Sequence, residues 1–140
     1  MNPDTEKAKE MLIEGIYTCV ICCGEDIGTF TERGVKPLLS LLDSGKCLKG
    51  YSAADKVVGR ASAFIYTLLM VNEVYAPVMT IGAEKVLREK GISIYCDELV
   101  EKIINRQGTG ICPMEDAVSL SNTAEDAVEK ICRRLSELSG

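Results

Sequence analysis

The stretch SAADKVVGRASA, residues 52–63, sets a hydroxyl, two alanines, a carboxylate and an ammonium group at the head of an apolar run. Ser52-x-x-Asp55 has the spacing of a capping box, in which the hydroxyl accepts from a backbone N–H and the carboxylate reaches back. Asp55 and Lys56 would then stand at a helix N-terminus, where exposed amides also favour a bound anion. The plain alternative is a cap and nothing more. Thr80 carries the same two readings ahead of IGAEKVLREKG, with Gly82 leaving amides accessible beside it. The third stretch is NRQGTGICPMED. There Asn105 and Arg106 end a helix, two glycines follow, and Cys112-Pro113 opens a new turn or helix that contains Glu115. A thiol at a helix N-terminus is activated by the dipole, so Cys112 is a candidate nucleophile. Otherwise this stretch is a structural loop packed on the core.

What the chain lacks narrows the chemistry. Its 140 residues include no histidine. Ser-His-Asp and Cys-His catalysis are therefore excluded, as is any zinc site that needs imidazole. A general base has to be Asp, Glu, Lys, Tyr or a thiolate. Cys19 and Cys22 have redox or zinc-finger spacing, but on a strand residues three apart point to opposite faces, so these sulfurs should diverge. The same holds for the adjacent Cys22 and Cys23. Seven cysteines, an odd number mostly inside apolar runs, and a polar start, MNPDTEKAKE, read as reduced, buried thiols in a cytoplasmic protein. Lys and Arg number 16 against 21 Asp and Glu, a net charge of -5. Such a surface repels a phosphate backbone, so no nucleic-acid partner is expected. No apolar run reaches the roughly 18 residues of a membrane span, so no membrane partner is expected either.

The elements that must position these groups follow from periodicity. A helix is expected over 4–14, capped by Asp4. IYTCVICC at 16–23 reads as a buried strand, and 27–30 as its return in a hairpin. A helix follows over 35–45, then a short strand at 47–51. Ala54, Val57, Val58, Ala61, Ile65 and Leu68 recur at helical spacing and predict a helix over 53–70. Small residues along it allow close approach to a sheet. Strand 73–79, helix 81–91 and strand 92–96 come next. Asp97 would then cap a helix carrying Leu99, Val100, Ile103 and Ile104. Thr123 caps a final helix over 124–138. The alternation predicts one α/β domain over 1–140: a three-layer α/β/α sandwich on a mixed sheet of about five strands, its hairpin antiparallel and its later pairs parallel.

This order of elements resembles the cytidine-deaminase-like fold over roughly residues 15–105. Deaminases open one central helix with His-Ala-Glu or Cys-Ala-Glu, and the corresponding run here is Ala53-Ala54-Asp55. Their Pro-Cys-x-x-Cys run falls on Met79, Thr80, Ile81, Gly82 and Ala83. The resemblance therefore puts the zinc-ligand positions at Ala53, Thr80 and Ala83, none of which offers nitrogen or thiolate. Asp55 takes the place of the proton-shuttling glutamate. Over nearly its whole length the chain also resembles an uncharacterised prokaryotic family, domain of unknown function 1893, whose members look like zinc-less relatives of the deaminases. The segments that carry this resemblance are SAADKVVGRASA, INRQGTGICPMED and the alternation between them. It implies the fold and no activity. The CPM at 112–114 echoes a deaminase zinc motif but falls after the fifth strand, not after the third.

Three functions remain open. The first is a binding module without metal or other cofactor, holding a small anionic or nucleotide-like ligand through Ser52, Asp55, Lys56, Thr80, Asn105, Arg106 and Cys112. The second is a metal-independent enzyme working through Cys112 or Asp55. The third is an interaction module, such as a homodimer, that joins through the apolar faces of its helices. Without a metal-activated hydroxide, no deamination of cytidine or guanine is expected.

Overall fold

The computed structural model describes residues 1–104, 108 and 110–139. Along these the chain runs α1 (Pro3–Glu14), β1 (Cys19–Cys23), β2 (Asp26–Phe30), α2 (Lys36–Asp43), β3 (Ser52–Asp55), β4 (Val57–Val58), α3 (Arg60–Leu69), β5 (Glu73–Thr80), α4 (Ile81–Glu89), β6 (Ser93–Val100), α5 (Pro113–Ala117) and α6 (Ala124–Ser139). The result is a mixed α/β structure. Strands β1 and β2 form the expected hairpin, turned at Gly24, whose φ of 61° lies in the left-handed region that glycine enters freely. Antiparallel β1 then pairs with β3, whereas β3, β4 and β6 all run parallel to β5.

Pro77 explains why β3 and β4 are separate elements. Ser52 faces Glu73 and Val57 faces Val78, the same offset on both sides of Lys56. The two are thus one strand, broken opposite a residue that has no N–H to donate. The break shifts the side-chain phase. Ala53 and Val58, five residues apart, both join the larger core cluster, and so do Ala76 and Met79 on β5. Counted this way the sheet has five strands, in the order β2, β1, β3/β4, β5, β6.

Helices cover both faces unequally. Ala8 and Leu12 of α1 pack on Val20, Cys22, Ala54 and Tyr75. The alternate residues of the same strands, Cys19, Ile21, Ala53 and Val74, meet Leu38, Phe64, Ile65, Leu87 and Ile131 from α2, α3, α4 and α6. Cys19 and Cys22 do point to opposite faces, as their spacing on a strand requires.

Four local expectations are overturned. The helix expected over 53–70 begins only at Arg60. Ala53 and Ala54 are fully buried in a strand paired on both sides, and their small side chains let α1 and α3 close on the sheet. Tertiary pairing overrides their helix propensity. With Ser52 and Asp55 in a strand, the capping box does not exist. Asp97 caps nothing, because β6 stays paired to β5 as far as Val100. Residues 47–51 form no strand; Leu48 is buried and its N–H donates to the Leu69 carbonyl. Asn2, not Asp4, caps α1, accepting from the Thr5 N–H at 2.8 Å, while Asp4 accepts from Gly24 N across the chain. Thr123 Oγ1 accepts from Asp126 N at the head of α6, as expected of a cap. No helix is long and apolar enough to cross a membrane among the described residues.

Candidate functional site

The carboxyl ends of β4 and β5 release helices α3 and α4 side by side, the position where open α/β sheets form ligand crevices. Thr80 is buried and caps α4, its Oγ1 accepting from Ala83 N at 3.0 Å. The cap of α3 comes from a distant segment. Glu115, on the short helix α5, places Oε1 2.8 Å from Arg60 N and Oε2 2.8 Å from Ala61 N. A carboxylate thus spans the first two amides of α3, one oxygen on each. Gly59 makes this approach possible. A Cβ there would collide with the Glu115 carboxyl group and with Ile103, although the Gly59 backbone is extended and any residue could adopt it. Arg60 lies across the opening. Its aliphatic stem passes Gly82, its guanidinium covers the Phe64 ring at 4.9 Å and donates to the Ser121 carbonyl, and its Nε is buried without an acceptor.

Below this opening lies a buried polar chain. Tyr66 Oη donates to Asp55 Oδ2 at 2.8 Å and lies 3.4 Å from Cys19 Sγ. Asp55 keeps part of its surface in water, but its carboxyl group is densely enclosed. Loss of hydration pushes its pKa up to about 7, against the pull of the Tyr66 hydroxyl and the Lys56 and Val57 amides. Burial, followed by the neighbouring Asp55 charge, holds the Cys19 thiol and the Tyr66 phenol well above their ordinary values. Asp55 is therefore the acid–base group of this network that titrates near neutrality.

The sequence-derived candidates scatter around this frame. Ser52 is buried on the α1 face, donating to Asn2 Oδ1 at 3.0 Å, and so lies across the sheet from Asp55. Lys56 is exposed. Cys112 precedes Pro113 at the head of α5, half-buried against the larger core cluster. Asn105 and Arg106 lie outside the described residues. The buried-thiol expectation holds for Cys19 and Cys22 alone, since Cys47 and Cys132 are exposed. Arg60 and Tyr66 escaped sequence reasoning. A tyrosine on an apolar helix face calls for a polar partner, but nothing in the spacing pointed to Asp55.

Fold and site together define a mixed α/β protein with helix termini gathered at the carboxyl ends of parallel strands. The family model described as a domain of unknown function (DUF1893) matches residues 7–135, and the chain belongs to that family. Among solved structures it is similar to the crystal structure of a DUF1893 family protein (TM1506) from Thermotoga maritima. The two share 25% identity with a TM-score of 0.84, over 98% of this chain and 92% of that one. No curated protein matches the chain.

Proposed function

We propose that the chain is a binding module for a small anion, a phosphate or carboxylate group such as a nucleotide carries, held where α3 and α4 open. The observation that carries this reading is the carboxylate already seated there, Glu115 across the Arg60 and Ala61 amides. The cradle fits a two-oxygen anion, and Gly59 leaves room for it. Thr80 at the adjoining helix and the Arg60 guanidinium add a hydroxyl and a positive charge. A ligand would displace Glu115 and gain the same amides. Cys112 sits three residues from Glu115 on the segment that would move.

The fold reads as cytidine-deaminase-like without zinc. Parallel strands that release neighbouring helices support this, with Thr80 and Ala83 at the head of α4 in place of thiolates, whereas Ala53-Ala54-Asp55, matched to the deaminase helix opening, lies in strand β3 and not at a helix head. Seven free thiols support residence in a reducing compartment such as the cytoplasm.

Thermal unfolding with inorganic phosphate, citrate and nucleoside monophosphates tests the binding role. One of these should stabilise the wild type, stabilise Glu115→Ala more because the competing carboxylate is gone, and lose its effect in Arg60→Ala. The reading fails if none of them raises the melting temperature of wild type or Glu115→Ala beyond a chloride control of equal ionic strength.

A second reading is favoured by the Asp55 network: a metal-independent enzyme in which Asp55 exchanges a proton near pH 7 with Tyr66 behind it.

A further inference from the structure

The carboxylate at the head of α3 is held there from a third direction. Helix α5 has five residues, too few to keep its shape and seat by backbone bonds alone. Met114 and Val118, about one turn apart, rest in the larger core cluster. A single line of apolar contact places a short helix but leaves it free to roll about that line. Glu115 and Asp116 project from α5 about 100° apart, so a roll carries Glu115 on or off the Arg60 and Ala61 amides. Arg134, on α6, opposes the roll. Its Nη1 donates to the Pro113 carbonyl at 3.0 Å and stands 3.1 Å from Asp116 Oδ2. The two contacts bracket Glu115, one before it in the chain and one after. An exposed ion pair contributes little by itself. Here only 29% of the Arg134 side chain is exposed, and the same nitrogen also holds a main-chain carbonyl.

We propose that Arg134 is a positioning residue for the anion site: by holding α5 on both sides of Glu115 it keeps that carboxylate on the α3 amides, and so sets how readily an outside anion enters. This role rests on the reading of the α3 head as an anion site and adds its regulation. Glu115 is a tethered competitor, and its effective concentration at the amides falls when the tether loosens. Arg60 Nε, buried at the same opening without an acceptor, is a donor left for the incoming anion. Arg134 grips α5, so its charge and its grip act in opposite senses. As a cation it favours an anion nearby; as a latch it keeps one out. Loss of Arg134 weakens anion binding if charge alone matters and tightens it if Glu115 is released.

Amide hydrogen exchange, followed by nuclear magnetic resonance, reads the latch with no ligand present. The first amides of a helix have no partner inside it, so Glu115 is what protects those of Arg60 and Ala61. Ala63 N, bonded to the Gly59 carbonyl at 2.9 Å, reports on α3 itself. Arg134→Met, which keeps the aliphatic stem, should speed exchange at Arg60 and Ala61 at least about threefold and leave Ala63 unchanged. Arg134→Lys, which retains a cation for Asp116, should fall between. Apparent affinity scales with the fraction of molecules whose cradle is open, so calorimetry should find inorganic phosphate bound at least about threefold more tightly by Arg134→Met than by the wild type. In a Glu115→Ala background the same substitution should tighten phosphate no further. Exchange at Arg60 and Ala61 as slow as in the wild type overturns the latch. So does exchange that rises equally at Ala63, or phosphate binding that Arg134→Met weakens. Phosphate that binds neither the wild type nor Glu115→Ala overturns the anion site and its regulation together, and the exchange rates tell that failure from a failed latch.

Discussion

Asp55→Asn should match the wild type in stability below about pH 4 and gain on it steadily as pH rises, with a clearly larger advantage at pH 8 than at pH 5. Folding raises the Asp55 pKa from 3.8 to about 7, chiefly by stripping water from the carboxyl group. A group held above its unfolded value contributes stability that is complete below pH 3.8 and drains away as pH rises through 7. Three units at about 1.4 kcal/mol each set a ceiling of about 4 kcal/mol. Residual exposure of the residue and water relaxation around it reduce the expected difference to about 2 kcal/mol. Asparagine keeps an oxygen for the Tyr66 hydroxyl and for the backbone amides but never ionises, so it should escape the loss. Wild type and variant would be unfolded in urea at steps from pH 5 to 8.5, followed by far-ultraviolet circular dichroism. The window is a clean one because the chain has no histidine to titrate within it, and other groups cancel in the difference between the two proteins. An equal gap at pH 5 and pH 8 would refute the account and place the Asp55 carboxyl in water.

Tyr66→Phe should cost about 1–3 kcal/mol, because Asp55 loses its side-chain donor, and nuclear magnetic resonance titration should find the Asp55 pKa higher still. Glu115→Ala should cost about 1–2 kcal/mol in chemical denaturation by uncovering two amides of α3, whereas Glu115→Gln, keeping one acceptor, should cost less. Gly59→Ala should match Glu115→Ala, since the added methyl evicts the same carboxylate; a neutral result would show that Glu115 bridges the amides only weakly. Thiol labelling of the native protein should reach Cys47 and Cys132 first, and Cys19 and Cys22 only on unfolding.

The sequence by itself settled the class of the fold and much of its order. The β-branched and cysteine-rich run at 19–23, the turn at Gly24, the capped helix after Thr80 and the apolar stripe after Thr123 are local signals, each decided within a few residues by propensity and caps. Composition also bounded the chemistry, because a missing histidine needs no structure to be seen. Tertiary structure decided the rest. Ala53, Ala54 and Asp55 read as a helix start until β1 and β5 claim both sides of them, and the cost of leaving their backbone groups unpaired in the core outweighs alanine's helix preference. Pro77 breaks a strand twenty-one residues away in sequence, at Lys56, through a hydrogen bond it cannot donate. Asp55 meets Tyr66 and Cys19, and Glu115 meets the head of α3, because strands and helices distant in the chain are stacked face to face. Burial by those neighbours, a property of the assembled fold and of no short stretch of sequence, is what moves the Asp55 proton to neutral pH.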